Sequence, residues 1–331
     1  MLLTSVAAFQ FIPILCKMKV NSKLLGVSLL IPTLNAGKEW LNILKRVDRQ
    51  SIQFKSKIII DSGSVDNTVL LATRFGFDVI SIEKSEFNHG KTRQQLVDSA
   101  GDADICVFLT QDALLASDFS VENLVKSFID GQVGVAHGRQ LPHENAKTLE
   151  THARLFNYPA ESQLRSLEDR DKFGFKTIFC SNSFAAYRKS VFESVGGFPF
   201  DSIMGEDTIV AAKMLSAGYK IAYVADATVH HSHTYSVKEE FKRYFDTGVF
   251  HAQNSWLFVG FGKPRGEGLK FVRSELNYAA KNDFKSIFKS IISTGAKWMG
   301  YKSGKNYRRL PASIVKKISM HRFYWNHPQP I

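Results

Sequence analysis

The chain has 331 residues, a hydrophobic share of 44% and a net charge of +12, which suits a globular protein with a full core and excludes a fibrous or disordered one. Its three cysteines are odd in number and two of them, Cys106 and Cys180, sit in apolar runs, which excludes a disulfide framework or cysteine metal cluster and points to a reducing, cytosolic setting. The charge is lopsided, with 15 Lys or Arg against 3 acids in residues 260–331 and 28 of each before them, so the tail is expected to meet anionic headgroups, nucleic acid or an acidic substrate.

Residues 1–22 are mostly apolar but contain Pro13 within a run too short to span a bilayer, and no basic residues precede that run as in a signal peptide. They read as a poorly ordered extension. Leu25 to Pro32 is a buried strand, and Thr33-Leu34-Asn35 leads into a helix carrying Trp40, Leu41, Ile43 and Leu44. Lys57 to Asp61 is a second strand ending in a carboxylate, followed by Ser62-Gly63-Ser64, where Ser64 is placed to cap the next helix. Phe77 to Ile82 is a third strand and Lys91 to Ala100 a helix. Ile105 to Leu109 then reads as a strand buried on both faces, ending at Gln111-Asp112.

Strand and helix thus alternate four times, the pattern of an α/β protein with a mostly parallel sheet covered by helices. Ligands bind at the carboxyl ends of such strands, which makes Asp112 a candidate contact for metal or substrate. The first strand-to-helix turn, Pro32 to Gly37, lacks the Gly-x-Gly-x-x-Gly that lets a backbone approach a dinucleotide. Gly90-Lys91-Thr92 resembles the end of a P-loop, but Ser85 stands where the first glycine belongs and no buried strand directly precedes it.

Beyond Asp112, residues 118–130 read as helix and Val133 to His137 as strand, while residues 145–175 show no clear period. Thr177 to Tyr187 is strand-like around Ser181-Asn182-Ser183, and Glu206-Asp207 open a helix that Gly218 ends. Tyr219 to Val224 and a second short run before His230 read as two strands. From Val237 the chain is chiefly helical, and its last part, residues 256–331, is basic and rich in aromatics such as Phe284, Trp298, Tyr324 and Trp325, a mixture that suits a membrane interface.

Seven stretches in order resemble the family 2 glycosyltransferases of GT-A fold, and within them the bacterial rhamnosyltransferases of O-antigen and related polysaccharide assembly. They are Ile31-Pro32-Thr33-Leu34-Asn35, Asp61-Ser62-Gly63-Ser64 with Asp66, Phe87 to Arg93, Leu109-Thr110-Gln111-Asp112-Ala113, Ser181-Asn182-Ser183, Gly205-Glu206-Asp207, and His231-Ser232-His233 with Tyr235. The stretch from Phe87 to Arg93 is the one similar to rhamnosyltransferases. The resemblance implies a nucleotide-sugar-binding GT-A domain over residues 23–255, followed by a helical extension. It implies inverting transfer of L-rhamnose from dTDP-L-rhamnose to a polyprenyl-diphosphate-linked glycan. The enzyme would work peripherally at the cytoplasmic side of the bacterial inner membrane, its tail on the anionic lipid surface, with no nucleic acid as partner. The rival readings are a same-fold transferase using a UDP-hexose or UDP-N-acetylhexosamine, and a nucleotide-sugar-binding protein without turnover.

Departure of a diphosphate builds negative charge that a divalent metal or fixed cations must stabilise. By resemblance, Asp112 matches the second carboxylate of the family's Asp-x-Asp motif, which holds Mg²⁺ or Mn²⁺. Thr110 stands where the first would be, so His231 or His233 is expected to supply the missing contact. Pro32, Thr33, Asn35, Asp61, His89, Lys91, Arg93 and Gln111 are expected around the donor nucleotide, with Asp61 accepting from the base. Asp207 is expected to take the proton of the acceptor hydroxyl, Glu206 being the alternative base, and Asn182 and Ser183 to lie near donor sugar or acceptor. Two plainer roles stay open: Asp61 can hold its own Ser-Gly-Ser turn, and Glu206-Asp207 suit a helix start through the macrodipole.

Overall fold

A computed structural model of the chain describes residues 25–262 and 266–326; the extension expected over residues 1–22 lies outside them. The strands are β1 (Val27–Thr33), β2 (Ser56–Asp61), β3 (Asp78–Ser81), β4 (Ile105–Leu109), β5 (Leu114–Leu115), β6 (Val133–Leu141), β7 (Gln163–Arg165), β8 (Phe184–Arg188) and β9 (Lys220–His230). They form one sheet in the order β3-β2-β1-β4-β8-β6-β9-β5, with β7 also paired to β9. Parallel pairing joins β3, β2, β1 and β4. β8 runs antiparallel between β4 and β6, and β6 is parallel to β9.

The helices are α1 (Trp40–Asp48), α2 (Thr68–Arg74), α3 (His89–Ser99), α4 (Ser120–Lys126), α5 (Thr148–Asn157), α6 (Arg170–Phe173), α7 (Lys189–Ser194), α8 (Glu206–Ser216), α9 (Val237–Gln253), α10 (Trp256–Phe261), α11 (Glu267–Asn282), α12 (Ser286–Lys305) and α13 (Ala312–Ile318). Two cores cover the two sheet faces, because successive residues of a strand point to opposite sides. Leu30, Cys106 and Phe108 join Tyr187, Phe192 and the α8 side chains on one face. Leu29, Ile31 and Val107 join Trp40, Ile43 and Leu44 on the other. The continuous apolar runs of β1 and β4 follow directly from this double burial.

Several local expectations are corrected. Ser64 caps no helix: its hydroxyl donates to Asp61 Oδ2 at 2.5 Å, and α2 begins only at Thr68 after Asn67. Only Phe184–Arg188 of the stretch from Thr177 to Tyr187 is strand, since residues 174–178 form a 3₁₀ turn. The two strands expected before His230 are one, β9, whose register against β6 shifts between Gly138 and Arg139. Residues 145–175 hold α5, β7 and α6.

The C-terminal region packs into the same core, with Leu257, Phe261, Tyr307 and Val315 buried beside the α8 face. Helix α12 lies against α9 at backbone distance. A Cβ on Gly300 would fall 2.2 Å from the Phe241 carbonyl oxygen and one on Gly304 2.0 Å from that of Phe245, so only glycine fits. No described helix is long and apolar enough to cross a membrane.

Candidate active site

In this sheet the chain runs from β1 to β2 and β3 on one side, then crosses back to β4 on the other. The carboxyl ends of β1 and β4 therefore open a crevice at the point where the strand order reverses. A cavity of about 410 Å³ lies there, lined by Pro32, Thr33, Thr110 and Gln111 from the strand ends and by His89 and Arg93 from α3. Gln111 fixes its floor, accepting from the Leu34 N–H at 2.7 Å and donating to the Leu34 carbonyl at 3.0 Å.

Asp61, Asn35 and Lys91 do not line this cavity. Asp61 is buried and its carboxylate is occupied internally, accepting from Thr33 Oγ1 at 2.9 Å, Ser64 Oγ at 2.5 Å, and the N–H groups of Gly63 and Ser64 at 3.1 and 2.8 Å. It holds the turn whose neighbour Ser62 lines the cavity. Asn35, at φ +46°, ties the same loop together by accepting from the Val65 N–H at 2.9 Å. Lys91 points to solvent.

The roof of the cavity is unexpected, because it comes from the far end of the chain. Met320 to Tyr324 close it, held by the fully buried Asp246 of α9. That carboxylate accepts from Ser319 Oγ at 2.7 Å and from the N–H groups of Met320 and His321 at 2.9 and 3.1 Å. His321 Nδ1 then meets His89 Nε2 at 3.3 Å. Arg93 fixes the proton positions: a guanidinium only donates, and Arg93 NH1 donates to His89 Nδ1 at 3.2 Å, so His89 carries its proton on Nε2 and gives it to His321. Burial, with the neighbouring His321, lowers the His89 pKa to about 3, so the ring is neutral. Replacing Asp246 with Ala should strand two half-buried backbone N–H groups and lower stability by about 3 kcal/mol in urea unfolding. A loss below about 1 kcal/mol would show that other contacts hold the roof.

Arg93 also pairs with Glu206 Oε1 at 3.2 Å, both side chains being almost fully buried. Asn182 Nδ2 donates to the same oxygen at 3.1 Å, and Tyr187 Oη holds Asn182 Oδ1 at 2.7 Å. Burial pushes Glu206 up, but Arg93, His89 and the hydrogen bonds from its own N–H and from Asn182 together outweigh it and keep the carboxyl below its ordinary value. Its neighbour differs. Asp207 is pushed up to about 7 by burial and by the Glu206 charge, although it accepts from the N–H groups of Asn182 at 3.1 Å and Thr208 at 2.7 Å. Two adjacent acids with separated pKa values, one paired with a cation and one poised near neutrality, suit a division into structural anion and proton acceptor.

At the end of β9, His231 and His233 face Asp112 beyond β4. Their Nε2 atoms lie 3.4 and 3.5 Å from the two carboxylate oxygens and 3.1 Å from each other. Arg154 NH1 donates to Gln140 Oε1 at 2.8 Å, which identifies that atom as oxygen, and His231 Nδ1 lies 3.0 Å from it. His231 therefore donates from Nδ1, which leaves Nε2 as the ring atom that faces the carboxylate and is free to act as a ligand. Burial above all lowers His233 to about 4, so that ring is neutral. Two imidazoles and a carboxylate, with ligand atoms all within 4.8 Å of one another, fit a divalent cation that accepts oxygen and imidazole.

The two halves of the site meet at the loop before β8. Gln140 Nε2 donates to Ser181 Oγ at 2.9 Å, Asn182 holds both acids, and the Ser183 carbonyl accepts from the Thr110 N–H at 3.2 Å. Ser183 thus serves the loop through its backbone, while its hydroxyl accepts from Ser181 at 3.4 Å. Gln140, Arg154, Asp246 and His321 belong to this network and escaped the sequence reading. Their partners lie up to 232 residues away, and no local pattern marks them.

Known proteins resemble the chain over most of its length. The O-antigen chain rhamnosyltransferase RfbN of Salmonella typhimurium is 48% identical over 304 residues, covering 92% of this chain and 97% of that protein. The O-antigen chain rhamnosyltransferase WbaN of Salmonella anatum is 47% identical over 306 residues, covering 91% and 96%. Among solved structures, the mannosyltransferase PcManGT from Pyrobaculum calidifontis, in complex with GDP-Man and Mn²⁺, matches with a TM-score of 0.53 at 17% identity over 90% of this chain and 84% of that one, which is a likeness of fold. Residues 28–196, from β1 through the acid-holding loop to the end of α7, match the family described as Glycosyl transferase family 2, and this protein belongs to that family.

Proposed function

We propose that the protein transfers L-rhamnose from dTDP-L-rhamnose to a polyprenyl-diphosphate-linked glycan in O-antigen-like polysaccharide synthesis, with inversion, at the cytoplasmic side of the inner membrane. The observation that carries the reading is the site itself: a cation-fitting cluster and a poised acid joined by one loop, beside a cavity at the sheet's switch point. The names of the two Salmonella relatives support the sugar and the pathway.

Asp112, His231 and His233 would hold Mg²⁺ or Mn²⁺, which neutralises charge on a departing diphosphate. The donor nucleotide would lie against Pro32, Thr33, Gln111, His89 and Arg93. The acceptor oxygen attacks the anomeric carbon, the bond from that carbon to the diphosphate breaks, and the hydroxyl proton passes to Asp207. Glu206 keeps Arg93 in place and raises the proton affinity of Asp207. Asn182 sets the distance between the acids. A second cavity, of about 990 Å³, begins at His233 and Tyr235 and extends between α5, α11 and α12, where Arg154, Arg243, Lys297 and Trp298 line it. Its size and its lining of aromatics among interspersed cations and acids suit a glycan, which supports reading it as the acceptor's binding site.

A panel of nucleotide sugars tested by thermal unfolding with and without Mn²⁺ decides the donor, because a ligand of the folded state raises its melting point. dTDP-L-rhamnose is expected to give the largest shift and a larger one with Mn²⁺. A larger shift with a UDP-hexose would move the reading to that donor, and binding without transfer to a supplied lipid-linked acceptor would make the protein a binder.

A further inference from the structure

Helix α12 is built inside out. The side that meets α9 carries small residues, Ser290, Ser293, Gly300 and Gly304, all buried. The opposite side carries Phe288, Ile291, Ile292, Trp298 and Met299, which with Phe284 one turn earlier are between 41% and 77% exposed. From Phe288 these positions recur at intervals of three, four, ten and eleven residues, so they fall on one stripe, and no described residue covers it. A stripe of six large apolar side chains exceeds what a free monomer ordinarily leaves to water.

We propose that this outer face of α12 is the surface by which the protein docks on an anionic lipid bilayer, lying in the interface with its apolar stripe among the acyl chains. The inference rests on the reading of the acceptor as lipid-linked. Charge selects lipid over a second protein chain. Exposed Lys281, Lys285, Lys302 and Lys305 stand at the two ends of the stripe, and Asp283 is the only acid among residues 281–326. That acid is engaged, accepting from Ser286 Oγ at 2.5 Å. Lysines around an apolar stripe reach up to headgroups while the stripe stays below them, whereas the same lysines on two copies facing each other would repel.

Geometry gives the surface a purpose. Trp298 belongs both to the stripe and to the lining of the larger cavity, whose other end reaches His233. A glycan whose lipid stays in the bilayer can therefore run from the membrane along that cavity to the metal cluster without leaving the surface.

The test is flotation of the full chain with vesicles of phosphatidylethanolamine and phosphatidylglycerol. The wild type is expected to float at low salt and less so at high salt, because screening weakens only the lysine contribution. Phe288→Glu with Ile291→Glu, at two positions outside both cavities, should cut the bound fraction about tenfold. Ile129→Glu, on the exposed turn after α4, should leave it unchanged. The thermal shift with dTDP-L-rhamnose and Mn²⁺ is read on the same samples: if it fails while the flotation pattern holds, the donor reading falls and the docking surface stands. Three results overturn the proposal: no flotation of the wild type, equal flotation of the double variant, or a wild-type dimer in light scattering that the double variant splits into monomers.

Discussion

Replacing Asp207 with Asn is expected to lower kcat about a thousandfold while leaving donor-induced thermal stabilisation intact, since a positioned base contributes on the order of a hundred- to ten-thousandfold. The argument rests on the inequality of the two acids. Glu206 is neutralised by Arg93 and cannot readily take a proton, whereas burial and the Glu206 charge bring Asp207 to about 7. In the wild type, kcat/KM should therefore climb with pH and level off with a midpoint near that value. Glu206→Gln removes the charge that raises Asp207, and the midpoint should move down. A midpoint that stays near 7 in Glu206→Gln, or an Asp207→Asn enzyme of full activity, would assign the base elsewhere. The same shift has a sign for stability: a carboxyl raised in the fold favours its neutral form, a contribution whole below the ordinary aspartate range and lost as pH rises through about 7. Activity and stability are thus expected to run in opposite directions across that window.

Asp112→Asn should reduce kcat/KM at least about a hundredfold and raise the Mn²⁺ concentration needed for half-maximal activity. The carboxylate is the one anion of the cluster, with the Nε2 atoms of His231 and His233 within 3.5 Å of its two oxygens. His231→Ala should resemble it. Gln140→Ala should give a smaller loss of metal affinity, about tenfold, because it frees the ring that Gln140 orients. Rates indifferent to chelator in the wild type would remove the metal from the mechanism and leave the charge of the leaving group to fixed cations such as Arg93.

What was legible in the sequence follows from the range of the forces involved. β1 and β4 are buried on both faces, so their apolar runs are continuous and announce themselves. α5 has His152 as its only buried residue and faces α11 and the large cavity, so residues 145–175 carry no core period to read. β9 reads as two runs because the polar Asp226 interrupts its apolar pattern, and only in space is it one strand that passes this point with a shift of register against β6. The resemblance brought Asp112, His231 and His233 into one cluster, and chemistry explained why. Neither supplied Gln140 or Asp246, whose importance lies in what they hold in place. Tyr307, Tyr324 and Trp325 counted as interface aromatics by composition, yet they turn inward, and Tyr324 Oη accepts from Gln253 at 2.9 Å. Exposure of Phe284, Phe288 and Trp298 is what composition could not separate from their burial.

The contact between His89 and His321 spans 232 residues. Loops of that length close late, after local contacts have repaid part of the ordering entropy, so the cavity beneath this contact is among the last features to form as the chain folds. A donor bound there, as proposed, would clasp two distant ends of the polypeptide. Its binding energy, about 2.7 kcal/mol at a hundredfold excess over Kd, is thereby added to the global opening of the molecule rather than to the fraying of one loop. Saturation with donor should then protect amides from exchange deep in β1 and β4 as well as in the roof, and chains whose C-terminal segment has not yet docked would hold no sugar nucleotide to waste by hydrolysis.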